Sequence, residues 1–190
     1  MIRRTLIALL LVGLLGLAAT GCPNSDATPP DGNGSNDSSN GDTFQQPPVG
    51  IKVGNTAPDF SLLDTSGNLI SLGSLRGQAV ILNFWQTTCP PCVEEMPLFQ
   101  EIQQQYSGQG LVFLGIDIAE SKSKVLSFTQ ANGLTLTMVL DSQAEVAIGY
   151  DVAYTPTTFF IDTHGVIQAI KIGQFLGKSQ IEQGIQKIMP

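Results

Sequence analysis

Apolar runs and helix-spaced apolar residues alternate along the chain after residue 48, and they predict an α/β domain. Ala79–Trp85 and Leu111–Ile118 are continuous apolar runs of strand length, as buried strands require, and Leu136–Leu140 is a shorter one. Between the two long runs, Pro91–Tyr106 places its apolar residues at helical spacing, with Pro97 expected to kink the helix. A strand, a helix and a second strand in this order predict a parallel βαβ unit.

Hairpins and further helices are predicted on both sides of this unit from turn residues, apolar stripes and capping boxes. In chain order they are a hairpin around the turn 64–68, a helix around Val125–Thr129, a short helix opened by Ser142, a hairpin of Thr158–Ile161 with Val166–Ile172, and a last helix opened by Ser179. Parallel and antiparallel strands therefore share the sheet. The predicted class is α/β, with a mixed central β-sheet flanked by helices and an added N-terminal β-hairpin.

Residues 1–21 have the anatomy of an export signal. A short basic start precedes the apolar run Leu6–Ala19, which suits a signal-peptide core and is short for a membrane-spanning helix. The segment ends Ala-Ala-Thr-Gly-Cys and resembles a bacterial lipobox, with Ala19 where Leu is commonest. This resemblance implies that Cys22 becomes the lipidated first residue of an extracytoplasmic, membrane-anchored lipoprotein. A plain cleaved signal and an uncleaved anchor helix are the alternatives.

Residues 22–48 are predicted to form a flexible tether between the anchor and the domain, which occupies residues 49–190. The tether is rich in Pro, Asn, Ser, Asp and Gly, and Phe44 is its one large apolar residue. Such a segment cannot bury enough apolar surface to offset the entropy of ordering it. The formal net charge of the chain is −7, which argues against nucleic acid as a partner, since nucleic-acid binding needs a basic face.

A Cys-x-x-Cys pair, Cys89-Pro90-Pro91-Cys92, lies where the first long strand gives way to the first helix. Free N–H groups and the dipole at a helix N-terminus stabilise a negative sulfur, and the thiolate is the attacking species in disulfide exchange. Cys92, one turn further along, is placed to attack a mixed disulfide and release the substrate. The spacing and position therefore predict redox chemistry.

Two structural interpretations of the same pair are weaker. A structural zinc site needs four ligands, and the domain offers only His164 besides the pair, so neither a metal nor another cofactor is expected. His164 is instead predicted to be a surface turn residue. A purely structural disulfide between neighbouring helical turns would constrain little chain and contribute little stability.

Four blocks in order along residues 50–190 resemble the TlpA/ResA family of thioredoxin-like thiol–disulfide oxidoreductases. The blocks are Val53–Phe60, Phe84–Cys92, Glu95–Pro97 and Thr155–Phe159. The resemblance implies a thioredoxin-like fold in which Pro156 follows a cis peptide bond and faces the cysteines.

The resemblance also implies roles for individual residues. It makes Cys89 the nucleophile, Cys92 the resolving thiol and Glu95 a proton-transfer group, while Asn83 stands where thioredoxin has a buried Asp. The residues expected to meet substrate are Trp85, Thr88, Pro90, Pro91, Thr155 and Pro156. Thr88 departs from the family, in which Trp usually precedes the first cysteine.

The implied function is the reduction of disulfides in exported proteins, with a membrane thiol carrier of the CcdA/DsbD type as electron donor and cytochrome c maturation as a common setting. A peroxiredoxin-like peroxidase is one alternative, although no Pro precedes Thr87 and Thr88 in the pattern that chemistry uses, and Arg76 is the domain's single arginine. A copper-binding or adaptor lipoprotein is another. The copper interpretation needs a wider cysteine spacing and a well-placed histidine.

Overall fold

The computed structural model describes residues 46–189. The predicted signal peptide, Cys22 and nearly all of the predicted tether fall outside these residues and stay predictions. Within the described part of the chain, no helix is both long enough and apolar enough to cross a membrane.

Seven strands, four α-helices and a short 3-10 helix follow one another in the order that the apolar pattern predicts. The strands are β1 (Ser61–Leu63), β2 (Leu69–Ser71), β3 (Ala79–Trp85), β4 (Leu111–Ile118), β5 (Thr137–Asp141), β6 (Thr157–Ile161) and β7 (Ile167–Ile172). The helices are α1 (Pro90–Gln105), α2 (Lys122–Ala131), α3 (Glu145–Gly149) and α4 (Lys178–Ile185), with the 3-10 helix at Gly73–Leu75. Helix α1 continues through Pro97.

The central sheet is mixed, as predicted, and has the strand order β5-β4-β3-β6-β7. Strands β3, β4 and β5 run parallel, whereas β6 and β7 pair antiparallel. All seven residues of β3 are buried, because this strand is the middle one and is covered on both faces. Because β3 and β6 are antiparallel, the carboxyl end of β3 and the amino end of β6 lie at the same end of the sheet.

Two apolar clusters fill the two faces of this sheet. On one face, residues of α1, α2 and α4 pack against the odd-numbered positions of β3, and Met96, Val125 and Ile181 are all essentially inaccessible to solvent. On the other face, α3 and the segment before β3 pack against the even-numbered positions. The alternation follows from the two-residue repeat of a strand. Helix α1, which carries the cysteine pair, is thus fixed on the first face.

The added hairpin of β1 and β2 covers an edge of the central sheet. The amide of Thr65 donates to the carbonyl of Met138 at 3.1 Å, and Asp64 forms an isolated bridge with Val139. Both contacts lie on β5, the outermost parallel strand. Covering such an edge protects it from pairing with other chains.

The capping box predicted at Ser142 is wrong. Helix α3 begins at Glu145, and the preceding Ala144 has a φ of 58° and makes no side-chain cap. Asp141, at the end of β5, performs the capping function, since its Oδ2 accepts from the amide of Ala147 at 2.8 Å. The strand end brings a stronger acceptor to the helix than the serine does.

The capping box predicted at Ser179 is also wrong. Gly177 precedes the first residue of α4 and has no side chain to offer. The side chain of Gln180 instead reaches back, and its Oε1 accepts from the amide of Leu176 at 3.0 Å. The predicted apolar stripe of the last helix is confirmed, because Ile181, Ile185 and Ile188 are buried.

Candidate active site

The cysteine pair caps α1 and is joined as a disulfide. Cys89 is the residue before the helix, and its Sγ accepts from the amide of Cys92 at 3.3 Å. Cys89 is half-buried, whereas Cys92 is 0% exposed. Unpaired N–H groups at the start of a helix favour negative charge, so the reduced Cys89 sulfur would be stabilised as a thiolate. The geometry gives the two sulfurs different tasks: one meets partners and the other stays inside.

A cis peptide bond joins Thr155 to Pro156 beside the cysteines, as the resemblance implied. The carbonyl oxygen of Thr155 lies 3.7 Å from Cys89 Sγ. A disulfide sulfur has no proton, so this is a van der Waals contact in the oxidised form and becomes a possible S–H···O bond only after reduction. Thr155 is half-buried and Pro156 is buried, so the loop forms one wall of the site.

The surface around Cys89 is formed by Thr88 and Pro90, which are exposed, and by Pro91, which is half-buried. These three residues are available to an approaching protein. Trp85 is not, and the expectation that it contacts substrate is wrong. Its side chain is 0% exposed and packs on Phe128 with ring centroids 5.4 Å apart.

Trp85 is a core residue next to the site and does not face substrate. It ends β3, four residues before Cys89, and its indole lies over Gly115 of β4. A Cβ at Gly115 would come within 3.1 Å of Trp85 Nε1 and within 2.5 Å of Met138 Sδ. Gly115, which has no side chain, therefore leaves the space that Trp85 and Met138 occupy.

Glu95 is a buried carboxyl group one helical turn after Cys92. It is 0% exposed and has a donor at each oxygen: the amide of Asn83 to Oε1 at 2.9 Å and the backbone N–H of Phe175 to Oε2 at 2.8 Å. Burial raises the pKa of Glu95 to about 7, against the two hydrogen bonds and the charge of Lys171, which lower it. A carboxyl group with this pKa exchanges protons near neutrality.

Asn83 connects Glu95 to the sheet. Its Nδ2 also donates to Thr158 Oγ1 of β6 at 3.0 Å, while its Oδ1 has no hydrogen-bond partner. An amide can rotate by half a turn, which would present Oδ1 as an acceptor to a protonated Glu95. Asn83 is thus able to serve Glu95 in both of its protonation states.

An acidic pair, Asp117 and Glu120, lies beside the active-site loop and was missed by sequence reasoning. Asp117 belongs to β4 and is 0% exposed, and Glu120 follows the strand and is also buried. Glu120 accepts from the amide and hydroxyl of Thr87 at 2.7 and 3.0 Å and forms an ion pair with Lys124. The available signal was an acid inside an otherwise apolar strand run.

Arg76 and His164 lie at the other end of the sheet. A Cβ at Gly165 would collide with the Arg76 guanidinium, which places this side chain on the turn that joins β6 to β7. His164 is exposed in the same turn, where its amide donates to Asp162, so its predicted surface position is confirmed. β6 separates this turn from the Thr155–Pro156 loop, so neither residue is near Cys89. Among residues 46–189, no cluster of three or more His, Cys, Asp or Glu could hold a metal.

A mixed sheet with a cis-proline loop facing a Cys-x-x-Cys pair at a helix N-terminus defines the class of thioredoxin-like dithiol redox proteins. A family model described as the AhpC/TSA family matches residues 53–170. The chain is 41% identical over 140 residues to thiol-disulfide oxidoreductase ResA of Geobacillus kaustophilus (strain HTA426), covering 74% of this chain and 80% of the relative. ResA of Bacillus subtilis (strain 168) is 36% identical, with 74% and 78% covered. StoA from Bacillus subtilis, a solved structure, superposes with a TM-score of 0.60 at 30% identity, covering 70% and 98%.

The chain therefore belongs to the ResA thiol–disulfide oxidoreductases, within the AhpC/TSA family of thioredoxin-like domains. It is an enzyme of this class, and Cys89 and Cys92 are its disulfide-forming pair.

Proposed function

We propose that this enzyme works as a reductant of disulfides in exported proteins, held at the extracytoplasmic face of a membrane by a lipid on Cys22. The observation that carries the proposal is the asymmetry of the dithiol. Cys89 is accessible at the start of α1, while Cys92 is 0% exposed and one turn from a buried carboxyl group. Such an arrangement suits a transient covalent complex with a protein partner.

The reaction consists of two disulfide exchanges. The Cys89 thiolate attacks one sulfur of the substrate disulfide, forms a mixed disulfide and displaces the other substrate sulfur as a thiolate. Cys92 then loses its proton and attacks Cys89 Sγ, which closes the Cys89–Cys92 disulfide and releases the second substrate sulfur. Two electrons have passed to the substrate, whose thiolates take up two protons. Glu95, buried on the same helix one turn after Cys92 and with a pKa of about 7, would receive the Cys92 proton.

The oxidised enzyme must be reduced again from outside this chain. A membrane dithiol carrier of the CcdA/DsbD type would supply the two electrons by the same exchange run in reverse. The exposed Thr88 and Pro90 would meet this donor and the substrate in turn, since both must reach Cys89. Maturation of c-type cytochromes is the setting that fits a reductant in this compartment.

Substrate positioning would come from the cis-proline loop. The Thr155 carbonyl lies 3.7 Å from Cys89 Sγ in a half-buried residue, where it would accept a hydrogen bond from an extended substrate strand. Main-chain bonding of this kind tolerates many sequences. The Thr88 side chain, smaller than an aromatic ring, leaves the approach to Cys89 wide.

The direct test uses the reduced domain with a protein disulfide and dithiothreitol as the final donor. Native enzyme is expected to turn over, Cys89→Ser to be inactive, and Cys92→Ser to accumulate a mixed disulfide visible by mass spectrometry. Turnover that persists in Cys89→Ser would refute the mechanism. Equilibration of the pair with glutathione decides the direction: a potential near about −270 mV supports a reductant, and one near about −120 mV an oxidant.

The competing activities have separate assays. Peroxide polarisation would use Arg76 and copper binding would use His164. Both side chains lie at the other end of the sheet from the cysteines. Consumption of hydrogen peroxide by the reduced domain, or a stoichiometric absorbance change on titration with copper, would revive those alternatives. The lipid on Cys22 is tested by growth with a labelled fatty acid, which should label the native protein and leave Cys22→Ser unlabelled; label that persists in Cys22→Ser would refute it.

A further inference from the structure

The Asp117–Glu120 pair has no place in the two exchanges described above, yet it is built at some energetic cost. Two buried acids side by side are unfavourable unless a proton is shared between them. As two carboxylates, neither has a hydrogen to donate, and both oxygens of Asp117 then lack a partner. A proton on Asp117 would give this carboxyl group a donor for the Glu120 carboxylate.

The protonation states of the two acids follow from their surroundings. Burial, followed by the hydrogen bond and charge of Glu120, raises the pKa of Asp117 to about 8. Burial acts on Glu120 too, but hydrogen bonds from Asp117, Lys124 and Thr87 outweigh it and hold the pKa of Glu120 below its ordinary value. Glu120 and Lys124 are the charged groups acting on Asp117. At neutral pH the proton therefore belongs to Asp117 and the charge to Glu120.

The other partner of Glu120 is the loop that leads to the nucleophile. Both Glu120 oxygens are used: Oε2 accepts the Thr87 amide and Oε1 accepts the Thr87 hydroxyl. Two residues later, the Cys89 amide donates to the Gln86 carbonyl at 3.2 Å, which makes residues 86–89 a closed turn. A displacement of Thr87 would move Cys89 Sγ away from the Cys92 amide that it accepts from.

We infer that Glu120 is a latch that positions Cys89 for reaction: Glu120 holds Thr87 by two hydrogen bonds, the closed turn transmits this constraint to the sulfur, and the buried Asp117 supports Glu120. Both acids are positioning residues, since neither forms a hydrogen bond to the cysteines. The inference rests on the proposed role of Cys89 as nucleophile. It adds a second, separate use of buried carboxyl groups at this site.

The test measures alkylation of reduced Cys89 by iodoacetamide as a function of pH, with the labelled residue identified by mass spectrometry. A small reagent needs no protein substrate, so the result stands even if the proposed disulfide reduction fails. Glu120→Ala is expected to slow alkylation at pH 7 by about fivefold and to move its pH midpoint upward, because the thiolate loses its alignment with the helix N-terminus. Loss of a nearby anion alone would move the midpoint downward, so the direction distinguishes positioning from simple electrostatics.

Two further variants make the test specific. Glu101→Gln removes an exposed carboxylate on α1 and serves as the matched control, with no expected change. Asp117→Asn has a permanent amide donor in place of the acid proton. Cys89 alkylation in Asp117→Asn should match the native rate at pH 7. Above pH 8 the variant should keep its alignment, whereas native Asp117 ionises and the latch weakens.

A spectroscopic readout follows the latch directly. Trp85 is the only tryptophan of the chain and is the register partner of Asp117 on the neighbouring strand. Its fluorescence should titrate near pH 8 in a Glu95→Gln background, and Asp117→Asn should abolish that step.

The inference is overturned by unchanged Cys89 alkylation in folded Glu120→Ala, or by a lowered pH midpoint. If Glu120→Ala does not fold, Thr87→Val decides, because it removes only the hydroxyl bond from a loop residue. Cys89 alkylation that is about twofold slower in Thr87→Val supports the latch. Alkylation at the native rate in this variant overturns it.

Discussion

Two buried carboxyl groups beside the same cysteine pair hold protons for different physical reasons. Glu95 reaches the sheet from α1 and meets two neutral donors, the Asn83 amide and the Phe175 N–H. Asp117 belongs to β4 and meets another acid, Glu120. Both side chains are 0% exposed, yet burial takes the pKa of one to about 7 and of the other to about 8.

Burial is the largest cause of the raised pKa in both groups, and their neighbours then decide what each acid is able to do. Donors partly compensate the charged form of Glu95, so both of its protonation states are accessible near pH 7 and the group can pass a proton on. A carboxylate neighbour penalises the charged form of Asp117, so this acid keeps its proton through neutrality. We expect the first group to act in the chemistry and the second to act on the structure around it.

The largest effect that would sharpen this contrast is on turnover. Glu95→Gln removes the proton acceptor for Cys92, and disulfide reduction at pH 7 is expected to fall roughly 10²- to 10³-fold. Asp117→Asn should change turnover by less than about threefold, since its amide replaces the donated proton. Single-turnover release of product from the mixed disulfide measures both variants. Equal losses in the two would abolish the proposed division of roles.

The next effect is on the pH dependence of stability. Folded Glu95 binds its proton more tightly than the unfolded chain does, so unfolding releases a proton between pH 4.5 and 7 and stability falls as pH rises through that window. The free energy of unfolding should drop by about 3 kcal/mol from this group and stay level above it. Asp117, whose pKa is raised from 3.8 to about 8, adds a decline of its own over that wider window.

Urea unfolding of the oxidised domain at several pH values measures this decline. Glu95→Gln should make the decline between pH 4.5 and 7 shallower and leave the decline that Asp117 contributes up to about pH 8. Asp117→Asn should remove the decline above pH 7 and leave only the share of Glu95 below it. A native profile that is flat from pH 5 to 8 would show that neither acid is protonated in the folded state.

A smaller effect is expected from removing the Asn83 donor, which Glu95 has and Asp117 lacks. Asn83→Leu keeps the side-chain volume but removes the Nδ2 donor, so the pKa of Glu95 should rise by about one unit toward that of Asp117. The pH profile of turnover would move by the same amount. Thr158→Val is the control, because it removes the other partner of Asn83 and leaves the bond to Glu95 intact. A profile that stays in place would mean that the Asn83 bond does not set this pKa.

The smallest expected effect comes from a distant charge. Lys171 lowers the pKa of Glu95 through its field and is partly exposed to solvent. Lys171→Gln should therefore raise that pKa by only about 0.3, and added salt should reproduce the shift in the native enzyme. A turnover profile measured at low and high ionic strength checks it. A much larger shift would indicate that Lys171 enters the site.

Much of the fold was readable from local patterns. The apolar runs 79–85 and 111–118 coincide with β3 and β4, because a strand buried on both faces must be apolar throughout. The cysteine pair was readable for a similar reason, since two thiols next to a helix start have a distinctive spacing. The cis bond before Pro156 came from family resemblance, as no local rule specifies it.

Errors arose where distant residues competed with local signals. Ser142 and Ser179 have capping sequences, but Asp141 and Gln180 were better placed to bond the free amides. The family resemblance put Trp85 among the residues that meet substrate, while a position in the core was also open. The sheet turns it inward over Gly115, and a strand position four residues before Cys89 does not determine which way the side chain points.

By itself, the sequence determined the strands, the helices, the dithiol and the presence of Glu95, since each depends on residues close together along the chain. Only the tertiary structure decided what the carboxyl groups meet. Glu95 and Phe175 are 80 positions apart, and Thr87 and Glu120 are 33 apart. A pKa depends on distance in space and on the loss of water around the group, and both quantities exist only once the sheet has brought these segments together.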